Sequence, residues 1–467
     1  MRRTLTSIAA ALALAPAASL AQTAGVEKST SVTLTETARG ETITEKTTTV
    51  AVVAEKKSPI TFTPYGFVLL NVFRNDGPIE GANKVYPTPL PCPAVGALNG
   101  CDQGGSYYMN IRQTRLGSRL DFDDAAGWTK ARLTGLLEVD FHGGFTGTAA
   151  DAVYNPLLRL RKAYGQAAWG GFSIRFGQDD RLVSPLRGTS LAYVADPVFQ
   201  NAGLLHGRAP MLALRYDLSP KDGFAFGIAA AALNPQEATV STVGTGNVSP
   251  GAGVTFGSGN RGNMPNLEGR IALGLRSGGK KTLDLGVWGG FQRNRFVGNE
   301  SATSTAKVDV DVNSYILGAD LTLNVWVLTL LGQVYQGHGY NVPGSIVGSQ
   351  GIAFRTTGSG TTLAPVQPLD ATAVKATGGW GQLAVNLDPV VIFGGWGGTQ
   401  TPFSELTGTQ LALAGNRVQN YMWAVGAMAN AGKNWRFSFE YASLTSWFYS
   451  GASAQVGQYS LNSQLVF

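Results

Sequence analysis

Charge is scarce in this sequence. Only 14% of its 467 residues are Asp, Glu, Lys or Arg, against roughly 25% in an ordinary soluble domain. Cysteine is scarcer still, with two residues, and there are three histidines. Long apolar runs are also missing. Beyond the N-terminus no stretch of about 18 residues is continuously apolar, which excludes a helical membrane architecture. Glycine is plentiful, at 61 residues, but has no period of three, so a collagen repeat is excluded. With 44% hydrophobic and 10% aromatic residues, the chain as a whole is not disordered. The formal charge of +6 is small for this length and does not suggest a nucleic-acid partner.

The N-terminus reads as an export signal. Arg2 and Arg3 form a positive start, Ile8 to Leu20 an apolar stretch, and Ser19-Leu20-Ala21 a small-x-small cleavage site. Residues 1–21 are therefore expected to be removed, leaving Gln22 first. A short membrane anchor is disfavoured because the apolar run cannot span a bilayer. Export implies an oxidising compartment, where Cys92 and Cys101, nine positions apart, are expected to form a disulfide. The bridge would contribute roughly 2.5–3 kcal/mol in the chain-entropy model. His142, His206 and His338 are scattered along the chain, and no metal site or cofactor is expected. Residues 22–59 are rich in Thr, Ser, Glu and Lys. Val32, Leu34 and Ile43 make no heptad, so this segment reads as a mostly disordered periplasmic tether ending at Pro59.

From Ile60 to Phe467 the pattern changes to period two, and these residues read as one domain. In Lys130–Phe141 one face carries Lys130, Arg132, Thr134, Leu136, Glu138 and Asp140. The other carries Ala131, Leu133, Gly135, Leu137, Val139 and Phe141. Alternate side chains of a strand point to opposite faces. The same split recurs in Gln113–Phe122, Asn266–Arg276, Thr282–Gln292 and Trp435–Tyr441. Alternation also occurs in soluble sandwiches, so three further features decide. The segments run about ten residues, as a tilted strand needs to cross a bilayer. Tight turns such as Gly170-Gly171, Ser219–Gly223, Asp388-Pro389 and Ala431–Asn434 alternate with long polar stretches at 75–104, 180–208, 234–264 and 338–374. Aromatics, including Trp128, Trp169, Trp326, Trp435 and Trp447, gather at segment ends, as at membrane interfaces.

These features predict an all-β, transmembrane antiparallel β-barrel. An open edge is forbidden in lipid, where every backbone group needs an internal partner. About sixteen strands are expected, centred near Leu69, Arg115, Leu136, Tyr164, Arg175, Leu214, Phe226, Ile271, Val287, Gly318, Leu330, Leu383, Phe393, Trp423, Phe439 and Ser460. Fourteen or eighteen remain open, because Gly and Ala blur the faces of 224–233 and 390–399. Parity is also open in Leu158–Trp169, where Lys162 breaks the alternation. A barrel of sixteen strands encloses an aqueous lumen.

Particular segments resemble a known family. Leu158-Arg159-Leu160-Arg161-Lys162-Ala163-Tyr164-Gly165, a tight turn, and Ile174-Arg175-Phe176-Gly177-Gln178 resemble the fourth and fifth strands of Gram-negative outer-membrane porins. Gln113-Thr114-Arg115-Leu116-Gly117 resembles their second strand. The alternating Tyr459, Leu461, Ser463 and Leu465 before Phe467 resemble their terminal strand. The resemblance covers 60–467 and extends to the DcaP-like branch, which also carries an N-terminal periplasmic extension, there a coiled coil. It implies a homotrimeric diffusion channel for small hydrophilic solutes in the outer-membrane lipid. It also implies a third external loop folded into the lumen as a constriction. That slot is Asp179–Arg208, with Asp179, Asp180, Arg181, Arg187, Asp196, His206 and Arg208. Arg115, Arg119, Arg132 and Arg175 should face it from the wall, producing a modest anion or carboxylate preference. Replacement of Glu138 by Arg, a lumen change, should cost little.

Other functional classes fit less well. Glu138 and Asp140 share a face, but i, i+2 acids are ordinary in a wet lumen. A barrel hydrolase would need Ser and His on the outer surface, and no G-x-S-x-G is present. A barrel adhesin or structural protein with a closed lumen is the main alternative, and conductance separates it from a porin.

Overall fold

The computed structural model describes residues 60–79, 88–89, 104–123, 130–144, 156–235, 258–299, 307–340, 351–354, 370–407, 409 and 416–467, with the short paired segments 30–32, 48–50, 356–357 and 364–365. The chain divides into two units, Met1–Pro59 and Ile60–Phe467. In the first, Thr30–Val32 pairs antiparallel with Thr48–Val50. Cys92 and Cys101 lie outside the described residues.

The second unit is a closed antiparallel barrel of sixteen strands. They are β1 (Ile60–Asn75), β2 (Tyr107–Asn110 and Arg115–Asp123), β3 (Arg132–Asp140), β4 (Arg159–Trp169), β5 (Phe172–Asp180), β6 (Arg208–Leu218), β7 (Gly223–Leu233) and β8 (Asn266–Ser277). The second half comprises β9 (Lys280–Asn299), β10 (Lys307–Val325), β11 (Leu328–His338), β12 (Lys375–Leu387), β13 (Val390–Gln400), β14 (Arg417–Ala431), β15 (Trp435–Phe448) and β16 (Ser453–Val466). The two segments of β2 count as one strand because both pair with β1, at Asn71–Arg74 and Ile60–Phe67. All sixteen sequence-derived centres fall inside these strands. Each strand pairs with its sequence neighbours, and β16 closes the ring on β1 from Gln458↔Asn75 to Val466↔Phe67. The terminal residue completes the seam: Phe467 and Gly66 exchange two backbone hydrogen bonds of 3.1 Å.

The distribution of polarity is inverted relative to a soluble protein. Leu137 is 50% exposed, whereas its neighbour Glu138 is 5% exposed. The same holds on β8, where Leu267, Ile271, Leu273 and Leu275 are exposed and Asn266 and Glu268 are buried. This is what alternation requires when the outer face meets hydrocarbon and the inner face meets a polar interior. Aromatics flank the tight turns. Trp169 stacks on Phe172 across Gly170-Gly171 at 6.1 Å, and Trp435 on Phe437 at 5.4 Å.

The ambiguous parity of Leu158–Trp169 has a local cause. Glu138 pairs with Lys162 and Val139 with Leu160, so Arg161 is the extra residue of a β-bulge in β4. A bulge re-aims side chains by inserting one residue opposite none. Arg159, Arg161 and Lys162 therefore all turn inward, while Leu160 stays on the outer face.

The apolar interior lies inside the barrel, where the loop between β5 and β6 meets the wall. Phe73, Tyr108, Tyr193, Val198, Phe199, Trp380, Met422 and Leu444 form one buried cluster there.

The outer face predicts that Leu137→Arg destabilises the barrel by about 2–4 kcal/mol, the value for a cation near mid-bilayer. Reversible unfolding in vesicles measures it, with Arg132→Gln, on an exposed lumen side chain, as a near-neutral comparison. Glu138→Arg is not the mild change expected from alternation. Glu138 accepts from Arg161 Nε at 2.8 Å and from Tyr65 Oη at 3.1 Å, and lies 3.6 Å from Arg115. Reversing its charge sets a third cation beside the buried Arg161 and Arg115 and should cost about 3–5 kcal/mol.

Candidate channel constriction

Asp179 and Asp180 end β5 and Arg208 begins β6, so the loop itself is 181–207, slightly shorter than the slot read from sequence. It crosses the lumen and is fastened to the wall by side chains that alternation places inward. At its start, Glu268 of β8 accepts from Arg181 Nε at 2.6 Å, the Leu182 N–H at 2.8 Å and the Val183 N–H at 3.3 Å. Midway, Glu440 of β15 accepts from Ser190 Oγ at 2.5 Å, the Leu191 N–H at 2.7 Å and the Ala192 N–H at 3.1 Å. Farther on, Gln113, between the two segments of β2, accepts from the Val194 and Ala195 N–H groups, both at 2.8 Å, and donates to the Ala192 carbonyl at 2.6 Å. Gln382 of β12 both accepts from the Thr189 N–H at 2.6 Å and donates to its carbonyl at 3.0 Å.

The reason for these clamps is backbone accounting. An irregular loop inside a barrel carries N–H and C=O groups with no ladder partner, and each left unpaired costs about 1–3 kcal/mol. A carboxylate that accepts several N–H groups makes charge-assisted bonds and satisfies them together. Apolar contact completes the seat. Phe199 stacks on Trp380 at 5.6 Å. At Gly203, with φ +100°, a Cβ would stand 2.1 Å from the Gly379 carbonyl oxygen, so only glycine permits the close approach.

The loop leaves a cavity of about 270 Å³ against β4–β8. Its lining includes Lys162, Arg175, Arg187, Arg215 and Arg270, with Asp179, Asp180 and Asp217. Lys162 Nζ lies 3.0 Å from Asp179 and 2.7 Å from Asp180. Arg187 pairs with Asp180 at 2.6 Å, and Arg175 pairs with Asp179 while Gln166 accepts from its Nε at 2.9 Å. In the loop, burial pushes the His206 imidazole well below its ordinary pKa, reinforced by Arg187 and Arg208. It is neutral at neutral pH.

The residues singled out from sequence thus fall into three groups. Arg175, Asp179, Asp180, Arg181 and Arg187 surround the cavity. Arg115 belongs to a neighbouring cluster with Glu138, whose partner Arg161 is fully buried and also pairs with Asp140 at 2.7 Å. Arg119 and Arg132 stand apart with Asp121, at 2.6 and 3.5 Å. Sequence reasoning placed Glu268 and Glu440 on polar faces without identifying them as loop anchors, and missed Lys162, Arg215 and Asp217. Strand parity alone could have brought Arg215 and Asp217 inward.

A closed sixteen-stranded barrel with an inward-folded loop after the fifth strand is the fold of the outer-membrane porins. No family model and no curated protein matches the sequence. Among solved structures, the chain is similar to the outer membrane channel DcaP of Acinetobacter baumannii, with a TM-score of 0.61 and 16% identity over 89% of this chain and 99% of that one. It also matches an anion-selective porin from Comamonas acidovorans, with a TM-score of 0.49 and 13% identity over 87% and 100% of the two chains. OprB of Pseudomonas putida gives 0.47 and 10%, over 86% and 94%.

Glu440→Ala should release the middle of the loop while the barrel still closes. The amides of Leu191 and Ala192 should then exchange with solvent at least about tenfold faster, the scale of one lost charge-assisted hydrogen bond. Unchanged exchange would show that this carboxylate does not hold the loop.

Proposed function

We propose that the protein is a passive porin of the outer membrane, exported by residues 1–21, through which small hydrophilic solutes and ions diffuse without a catalytic step. The homotrimeric state belongs to the same reading. The observation that carries it is the loop 181–207, bonded across the lumen yet leaving a charged gap against β4–β8. Transport then follows from two physical effects, sieving by the width beside the loop and the field of fixed charges in it.

The field supports a weak preference for anions. The cavity presents more guanidinium and ammonium groups than carboxylates, but most of them are already paired. Pairing cancels much of the field at a distance, so the preference is modest. An adhesin or structural barrel would have no need of a charged gap beside a loop clamped inside the lumen.

In a KCl gradient across a planar bilayer, the reversal potential should take the anion-selective sign. Replacing both Arg175 and Arg187 by Gln leaves Asp179 and Asp180 with Lys162 as their shared cation and should move it toward cations. The shift should be larger at low salt, because the screening length is about 10 Å at 0.1 M. A cation-selective wild type, or a double variant with unchanged reversal potential, would contradict the charge reading. Since His206 is held neutral, selectivity should not change between pH 8 and pH 6, and His206→Gln should match the wild type at both.

A further inference from the structure

The cavity beside the loop contains one charged side chain of each sign, Arg215 and Asp217, without a direct ion pair among the described residues. Its cations other than Arg215 each have a carboxylate partner: Lys162 with Asp179 and Asp180, Arg175 with Asp179, Arg187 with Asp180, Arg181 with Glu268 at 2.6 Å and Arg270 with Asp320 at 2.7 Å. Arg215 makes no ion pair among the described residues, and its buried Nε has no hydrogen-bond partner there. Asp217, two residues on, is exposed in the same cavity and likewise makes no ion pair among the described residues.

Both side chains point inward. Along β6, Leu212, Leu214, Tyr216 and Leu218 are exposed on the outer face, and Met211 and Ala213 are buried inside. Arg215 and Asp217 continue the inner set. Two residues of strand separate their Cα atoms by about 6.6 Å. Opposite Asp217 in the ladder is Gly227, where a Cβ would stand 3.0 Å from Asp217 Oδ1. The glycine therefore leaves the carboxylate room and keeps the cavity floor open. The volume, about 270 Å³, suits a solute of a few heavy atoms rather than a drug-sized one.

We infer that this cavity is a weak binding site for small zwitterions, solutes carrying one carboxylate and one ammonium group. The carboxylate would lie against Arg215, whose planar donors match it, and the ammonium against Asp217. A simple anion satisfies Arg215 but is repelled by Asp217, and a simple cation meets the reverse. Only a dipolar solute pairs with both Arg215 and Asp217. This inference rests on the porin reading, since it assumes that solutes reach the cavity through the lumen.

The test is block of single-channel current at pH 7 by three small probes: alanine, acetate and ethylamine. Alanine should block at a several-fold lower concentration than either singly charged probe. Arg215→Gln and Asp217→Asn should each raise the alanine concentration for half-block about tenfold, the scale of one charge-assisted hydrogen bond. The two variants should act oppositely on acetate: weaker block without Arg215, stronger block without Asp217. Equal block by alanine and acetate in the wild type, or tighter alanine block in Asp217→Asn, would overturn the zwitterion site while leaving a conducting porin. Absence of any channel current would overturn the porin reading, and this inference with it. Asp217→Asn is isosteric, Arg215→Gln shortens the side chain by two heavy atoms, and the ladder of this wall is made by backbone, so folding is expected to survive. The heat-modifiable migration of the folded barrel checks that.

Discussion

Closure of the backbone hydrogen-bond ladder is the constraint from which the rest of this structure follows. In hydrocarbon an unpaired N–H or C=O group costs several kcal/mol, so a sheet has to return on itself. Here it does so where β16 meets β1 and Phe467 bonds to Gly66. Closing sixteen strands fixes a lumen too wide for wall side chains to fill. That width then has to be managed. The loop 181–207 occupies part of it, and the same backbone accounting reappears in a polar setting. Glu268, Glu440 and Gln113 supply the acceptors that the loop's amides lack.

Charges inside the barrel consequently serve two purposes. Buried pairs such as Arg161 with Glu138 and Asp140, or Arg181 with Glu268, hold wall and loop together. Each is strongly interdependent, since removing one partner weakens the network that compensates the other buried charges. Around the cavity, the charges are more accessible and only partly neutralised, and there they can act on a passing solute. The β-bulge at Arg161 links the two, because it turns Arg161 to the buried network and Lys162 to the cavity from adjacent positions.

Much of this was legible in the amino-acid sequence because a barrel is a local code. Period two, turn residues and segment length are short-range properties, and they located every strand, including the glycine-blurred β7 and β13. The inward placement of Arg115, Glu138 and Arg175 followed from parity alone. Parity failed where the geometry itself departs from it, at the bulge in β4. Nothing local reveals that Glu440 binds the amide of Leu191, 249 residues earlier, because that contact depends on how the ring closes. For the same reason Arg119 and Arg132 looked equivalent to Arg175, although the fold sets them with Asp121, away from the cavity.

On the porin reading, a loop seated inside a closed barrel narrows the lumen without sealing it. Swelling of liposomes containing the purified protein, measured with a series of neutral sugars of increasing size, tests this most directly. Rapid swelling is expected with the smallest sugars, with a steep fall as solute size approaches the gap beside the loop. No swelling with the smallest solute would mean a sealed lumen, and rates independent of size would mean that the loop does not lie in the path; either result would contradict that reading.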